Sequence, residues 1–259
     1  MSLMNYEYLL ESEAATQIKT VSQVYGFMEN FPKIEDALLC LHYFLGPKPD
    51  PESADGAFHS WAYHRYFCLP YTVRGIYILW ERGLYNEASI LLRGLWEVLA
   101  QLLWFSTHKD QLNDHLTGKR RISFKAIFNN IAPGFYDLWY GKILSGMVHG
   151  GIAASFPRFK YTPPSEAEWT YGCEYDDKAA AFVINQLIDC LHGYLAHLRQ
   201  FFPVVTFPDA GDYQPRIAEV QAWLVRGIFA QLRTNPKSAH WYDIIGPLIG
   251  WKGNSPGAV

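Results

Sequence analysis

The stretch "LYNEASILLRGLWEVLAQLLWF", Leu84 to Phe105, decides the fold of this chain. Its apolar residues occupy nearly all sides of a helix, a pattern typical of a helix that is buried on most of its surface. The stretch is long enough to span a bilayer, but Glu87, Arg93 and Glu97 lie within it and no basic cluster flanks it. We therefore predict a buried central helix and no membrane association.

On both sides of this helix the chain shows further segments with helical spacing, almost no strand-like alternation and no internal repeat. We predict an all-α fold, a single helical bundle of about seven or eight helices over residues 1–234. Pro32 is expected to begin the second helix, and Pro70 to kink or split the third. One long irregular excursion is predicted near residues 150–175, and a Gly- and Pro-rich C-terminal tail over residues 235–259 in which a short helix can form around Trp241 to Ile245.

Composition limits the choice of partners. Aromatic residues make up 16% of the 259 residues and charged residues 18%, so many rings must be buried inside the chain or against another molecule. A homodimer is therefore a reasonable expectation. The net charge of −3 does not favour RNA or DNA as a partner, although a local basic patch stays possible.

The four cysteines are widely spaced, without a C-x-x-C pair, and no signal peptide precedes them. This arrangement is typical of reduced thiols in a cytoplasmic protein. The cysteines are Cys40, Cys68, Cys173 and Cys190.

A second stretch, "YGKILSGMVHGG" from Tyr140 to Gly151, contains candidate site residues. At about 100° per residue, Lys142, Ser145 and His149 share one arc of a helix, and Tyr140 lies on the opposite, apolar side. Two interpretations stay open, the wet face of an amphipathic helix or a site in which Ser145 orients His149.

Arg93 and Glu97 in the central helix are four residues apart, so they share a face and can pair. One interpretation is a structural ion pair that fixes the packing of the bundle. The other is that both side chains project into the same cleft as His149 and tune its pKa.

Metal and cofactor motifs are absent from the sequence. It contains neither H-E-x-x-H nor E-x-x-H, and no phosphate-binding glycine loop. The histidines of "HSWAYHRYFC" and "HGYLAH" are more typical of core or surface positions than of a metal site. We therefore predict no metal and no cofactor.

With these residues in view, the chain resembles a bacterial family of helical domains of unknown function. The pattern of that family, an "EA…LLR.L.E" helix followed by a "Y..LS…H" helix, matches Arg93 and Glu97 in the first helix and Tyr140, Ser145 and His149 in the second. The resemblance covers about a quarter of the chain. It implies that Arg93, Glu97, Ser145 and His149 belong to one constellation, but it supplies no reaction.

The chain more distantly resembles the HEPN superfamily, many of whose members are RNases of toxin or defence systems. The histidine motif of that superfamily has an arginine upstream, where this chain has Lys142. Our leading hypothesis is a cytoplasmic bundle that acts by association or small-ligand binding. The alternative is a metal-independent RNase or phosphodiesterase with His149 as acid–base and Ser145 as its orienter, in which Arg93 or Lys142 stabilises the phosphate charge.

Overall fold

The computed structural model describes residues 6–23, 25–41, 52–137, 140, 159–162, 166–169, 175–202, 210–234 and 238–251. Within these ranges the fold is all-α, as predicted, with ten α-helices rather than seven or eight because two very short helices count separately. The elements are α1 (Tyr6–Gln23), α2 (Tyr25–Cys40), α3 (Ala54–Glu81), α4 (Tyr85–Thr107), a 3-10 turn (Lys109–Gln111), α5 (Leu112–Leu116), α6 (Phe124–Ile131), β1 (Phe159–Thr162), β2 (Glu166–Trp169), α7 (Asp177–Ala196), α8 (Leu198–Phe201), α9 (Ala210–Thr234) and α10 (Ser238–Ile249).

Helices α3 and α4 form a helical hairpin at the centre of the molecule. The connection turns at Gly83, whose φ of 78° is a left-handed conformation that glycine adopts without strain. Trp96, Leu102 and Phe105, which lie on different sides of α4, are fully buried. The helix is therefore covered on several sides, as its apolar sequence predicts.

Aromatic side chains hold α7 against this hairpin through polar atoms as well as through packing. The hydroxyl of Tyr66 on α3 donates to the backbone oxygen of Tyr194 at 2.6 Å, and the Tyr194 hydroxyl donates to the backbone oxygen of Leu95 at 2.9 Å. The indole nitrogen of Trp80 donates to the Ala180 oxygen at 3.0 Å. Each ring therefore buries a large apolar area while its polar atom is satisfied.

Pro32 does not begin the second helix, and Pro70 does not split the third, because both lie inside continuous helices. Pro32 is in the middle of α2 and Pro70 in the middle of α3. A proline removes one helical hydrogen bond, at a cost of about 3 kcal/mol. The buried faces around them offset this cost, because Phe31 and Ile34 flank Pro32 and Leu69 adjoins Pro70 in the core.

The short helix expected around Trp241 to Ile245 is longer in the structure and packs into the core. Helix α10 occupies residues 238–249, and Tyr242, Ile245 and Leu248 on this helix are buried in the same hydrophobic cluster as α3, α4 and α7. The helix continues through Gly246 and Pro247. Its buried apolar residues recur at helical spacing, which favours a helix despite the glycine and proline.

The excursion predicted as irregular near residues 150–175 contains, in its described part, an antiparallel pair of strands. Phe159 lies opposite Trp169 and Thr162 opposite Glu166. Each strand has only four residues, which is too short for alternation to be recognised in the sequence.

Two helices, α4 and α7, are long and apolar enough to cross a membrane by length and composition alone. Over half of the most apolar window of each helix is buried inside the protein, 56% in α4 and 67% in α7. The central helices of a folded core also meet this criterion.

Candidate functional site

Arg93 and Glu97 lie one turn apart on α4 and form the ion pair that their spacing allows. Arg93 Nε donates to Glu97 Oε1 at 2.9 Å. The relative solvent exposure of the Arg93 side chain is 17% and that of Glu97 is 23%, so the ion pair is largely but not completely buried. Such a position strengthens the interaction relative to a surface pair.

Tyr140 is the third member of this group, although it lies 43 residues further along the chain than Glu97. Its hydroxyl donates to Glu97 Oε1 and accepts from Arg93 Nε at 3.1 Å. The Arg93 guanidinium carbon lies 4.9 Å from the centre of the Tyr140 ring, within the range of a cation–π interaction. We refer to Arg93, Glu97 and Tyr140 as the Arg93 cluster.

Aromatic rings form the wall behind the Arg93 cluster. The Tyr140 ring centre lies 4.8 Å from that of Phe128 and 6.1 Å from that of Phe124, both on α6. Phe135 contacts Phe128 and the buried Trp96 of α4. The wall fixes the tyrosine, whose residue exposure is only 3%.

The surroundings of the cluster keep its tyrosine protonated and its arginine charged. Burial and the neighbouring Glu97 carboxylate raise the pKa of Tyr140 well above its ordinary value. Burial lowers the pKa of Arg93, but the hydrogen bonds and charges of Tyr140 and Glu97 outweigh this effect and raise it overall. At neutral pH the cluster therefore contains a hydroxyl donor, a cation and no available phenolate base.

Three buried side-chain nitrogen donors of α4 have no hydrogen-bond acceptor among the described residues. They are Arg93 Nη1 and the indole nitrogens of Trp96 and Trp104. An unpaired buried donor costs about 1–3 kcal/mol, and such groups in native proteins generally have a specific explanation. Arg93 can therefore take an additional acceptor.

The other predicted site residues, Lys142, Ser145 and His149, lie outside the described residues. The structure brings together Arg93, Glu97 and Tyr140 from the predicted set. Whether His149 belongs with them stays a prediction, as does a functional role for the whole constellation.

In the described parts of the chain, no three His, Cys, Asp or Glu side chains come close enough to hold a metal ion. His59 is buried with its ring 5.3 Å from that of Phe202, and His192 Nδ1 contacts the backbone oxygen of Ile249 at 2.9 Å. His64 and Cys68 are exposed. Cys40, Cys68 and Cys190 are free thiols.

A second polar group, not singled out by the sequence pattern, surrounds Asp189 of α7. Its carboxylate is fully buried and accepts from Trp241 Nε1 at 3.1 Å and from the Tyr242 hydroxyl at 2.9 Å, both on α10. Burial raises the pKa of Asp189 to about 7, although the hydrogen bonds from Trp241, Tyr242 and Gln231 oppose the shift. This carboxyl attaches the C-terminal helix to the core.

Comparison with known proteins finds no match for this chain, since no family model, no curated protein and no solved structure is significantly similar to it.

Proposed function

We propose that this chain is a helical-bundle protein that acts by binding a small anionic ligand at the Arg93 cluster, rather than by catalysis. The observation that carries this proposal is the unpaired Nη1 donor of a guanidinium that two other residues of the cluster already hold in place. A guanidinium whose orientation is fixed binds carboxylate or phosphate with little loss of side-chain entropy.

The rest of the cluster supports binding more than reaction. Tyr140 holds its proton against Glu97, so it acts as a donor and not as a general base. The ion pair of Arg93 and Glu97 has no net charge. Glu97 therefore offsets the cost of burying the guanidinium when the ligand is absent. The aromatic wall holds Tyr140 in place behind the guanidinium, and Phe124 is its partly exposed ring.

The proposal is tested by calorimetric titration with inorganic phosphate, using wild type, Arg93→Lys and a matched control. Lysine keeps the positive charge but cannot present the planar fork, so Arg93→Lys is expected to weaken binding by about tenfold or more. Arg74→Lys is the control, because Arg74 also pairs with a glutamate, Glu35 at 3.1 Å, but on the exposed side of α3. Its affinity is expected to equal that of wild type.

Two results would count against binding at this cluster. If wild type binds no phosphate while Arg93→Lys lowers stability, the cluster is a structural ion pair only. If Arg74→Lys weakens binding as much as Arg93→Lys, the anion is attracted by general charge and not by the cluster.

The RNase or phosphodiesterase alternative stays a prediction, because it depends on Ser145 and His149. It is tested by incubating wild type and His149→Ala with single-stranded RNA in the presence of EDTA. Metal-independent cleavage that is lost in His149→Ala would replace binding with catalysis as the function.

A cytoplasmic location and a homodimer also remain proposals. The free thiols of Cys40, Cys68 and Cys190 support a reducing compartment. Exposed Phe67 and Tyr71, whose rings are 6.1 Å apart on α3, support a contact with another chain. Sedimentation analysis of the purified chain measures the oligomeric state directly.

A further inference from the structure

One short segment carries an unusual share of the positive charge of this chain. The sequence "GKRRISFK", residues 118–125, holds four of the 22 Lys and Arg residues and no Asp or Glu, whereas the whole chain has a net charge of −3. Lys119, Arg120 and Arg121 are all exposed. None of the three forms an ion pair with another described residue. We refer to Lys119, Arg120, Arg121 and Lys125 as the basic segment.

Local hydrogen bonds fix the backbone that presents this charge. Gly118 adopts a φ of 74° after α5, and the Arg120 amide donates to the Asp114 oxygen at 3.0 Å. Ser123 then caps α6 by accepting from the Ala126 amide at 3.2 Å. The loop is therefore anchored at both ends, and no described acidic group neutralises Lys119, Arg120 or Arg121, whereas Lys125 lies 3.9 Å from Asp137.

The basic segment adjoins the Arg93 cluster through a chain of ring contacts. Lys125 Nζ lies 5.6 Å from the ring centre of Tyr136, and the Tyr136 and Tyr140 rings are 5.4 Å apart. At the other end of this path, the Arg93 guanidinium carbon lies 4.9 Å from the centre of the Tyr140 ring. Among the described residues, two acidic groups lie along it, Asp137 at 3.9 Å from Lys125 Nζ and Glu97 beside Tyr140 and Arg93. Cationic groups thus stand at both ends of a row of aromatic rings.

We infer that the basic segment is the outer half of the ligand site, so that the ligand of the Arg93 cluster is a polyphosphate-bearing small molecule. This inference rests on the proposed function. One phosphate group contacts Arg93, where Glu97 already neutralises part of the field, and further phosphate groups contact Lys119, Arg120, Arg121 and Lys125. Lysine and arginine together suit this ligand class, since lysine acts as a point charge and arginine as a fork.

The test compares orthophosphate with tripolyphosphate by calorimetric titration of the full chain at physiological ionic strength. Wild type is expected to bind tripolyphosphate at least about tenfold more tightly, because several charge-assisted contacts are added. The variant Lys119→Gln/Arg120→Gln/Arg121→Gln is expected to lose most of this preference while its orthophosphate affinity stays within about twofold. Circular dichroism confirms that the variant is folded.

The matched control removes the same charge from other exposed positions of the chain, Lys178→Gln/Arg199→Gln/Arg233→Gln. This control is expected to keep the preference for tripolyphosphate. An equal loss in both triple variants would overturn the inference, because general electrostatics would then explain the preference. A preference kept by the basic-segment variant would also overturn it, and the Arg93 proposal would stand unaffected.

Two further arms separate this inference from the proposed function and from nucleic acid. If Arg93→Lys leaves both affinities unchanged, the proposed function fails, and the basic segment is at most an independent surface. If wild type binds neither phosphate but binds a single-stranded oligonucleotide, and the basic-segment variant loses that binding, the polyphosphate inference is wrong and the segment is a nucleic-acid contact.

Discussion

At the scale of single residues, the Tyr140 hydroxyl is the polar group on which the Arg93 cluster depends most. It bridges the arginine and the glutamate, and the ring is almost completely buried. Tyr140→Phe keeps the ring contacts and removes only these hydrogen bonds. We expect it to lower the free energy of unfolding by about 1–2 kcal/mol, as measured by urea denaturation.

Tyr71→Phe is the matched control, because Tyr71 is 62% exposed on α3 and its hydroxyl is solvated. Its free energy of unfolding is expected to remain within about 0.5 kcal/mol of wild type. Equal stabilities of Tyr140→Phe and wild type would mean that the hydrogen bonds of the Tyr140 hydroxyl contribute nothing measurable. The Arg93 cluster would then not be held in place by Tyr140.

The candidate site was predictable from the sequence only where its contacts are local. The pairing of Arg93 and Glu97 follows from a spacing of four residues on one helix. The contact with Tyr140 does not follow from spacing, because it depends on how two distant segments pack. The helical pattern places Tyr140 on an apolar face, which describes its ring in the aromatic wall but not its hydroxyl.

At the scale of elements, α4 and α10 both approach α7 closely at Gly193. A methyl group at this position would lie 2.6 Å from Leu99 Cδ2, and 3.2 Å from both the Ile249 Cα and the Leu248 backbone oxygen. The last two contacts are with backbone and cannot move aside easily. We expect Gly193→Ala to lower the free energy of unfolding by about 1–3 kcal/mol, measured by urea denaturation.

The opposite sign is expected for the same substitution in the middle of α4. At Gly94 no atom lies within 4 Å of the added methyl group. Alanine is the better helix former by about 0.8–1 kcal/mol, so Gly94→Ala is expected to raise stability by up to that amount. Destabilisation by both variants would show that the packing around α4 differs from that described.

Element boundaries were predictable where burial and periodicity agree. The central helix was expected from Leu84 to about Thr107, and α4 occupies Tyr85–Thr107. The boundaries differ where proline received too much weight, since α2 begins before Pro32, α3 is not split at Pro70, and α10 extends beyond the short helix expected at residues 241–245. Tertiary packing offsets the loss of a helical hydrogen bond, and the sequence of one segment does not reveal which neighbours will cover it.

At the scale of the whole molecule, the high aromatic content is explained largely inside the bundle. Trp80, Trp96, Tyr66 and Tyr194 are all fully or almost fully buried, and three of them have their polar atoms bonded to backbone oxygens. Because these rings are buried inside the bundle, the high aromatic content is weaker support for an aromatic dimer interface than the sequence alone suggested.

Global stability is expected to depend on pH through Asp189, which links α7 to α10 and to Gln231 of α9. Its pKa is about 7 when folded, against about 4 in an unfolded chain. Between these values the folded state binds more protons, so stability falls as pH rises, with a slope of up to about 1.4 kcal/mol per pH unit. Above pH 7 the contribution of Asp189 to the free energy of unfolding no longer changes with pH. The carboxylate that bonds α10 is then charged and buried.

The measurement is the free energy of unfolding by urea at several pH values from 5 to 8, in wild type and in Asp189→Asn. The difference between the two proteins isolates Asp189, because burial lowers the pKa of His192 and of His197 and gives them the opposite slope in both proteins. Relative to Asp189→Asn, wild type is expected to lose stability steadily up to pH 7 and then level off. A constant difference across this range would mean that Asp189 does not change protonation there, and the attachment of α10 would not respond to pH.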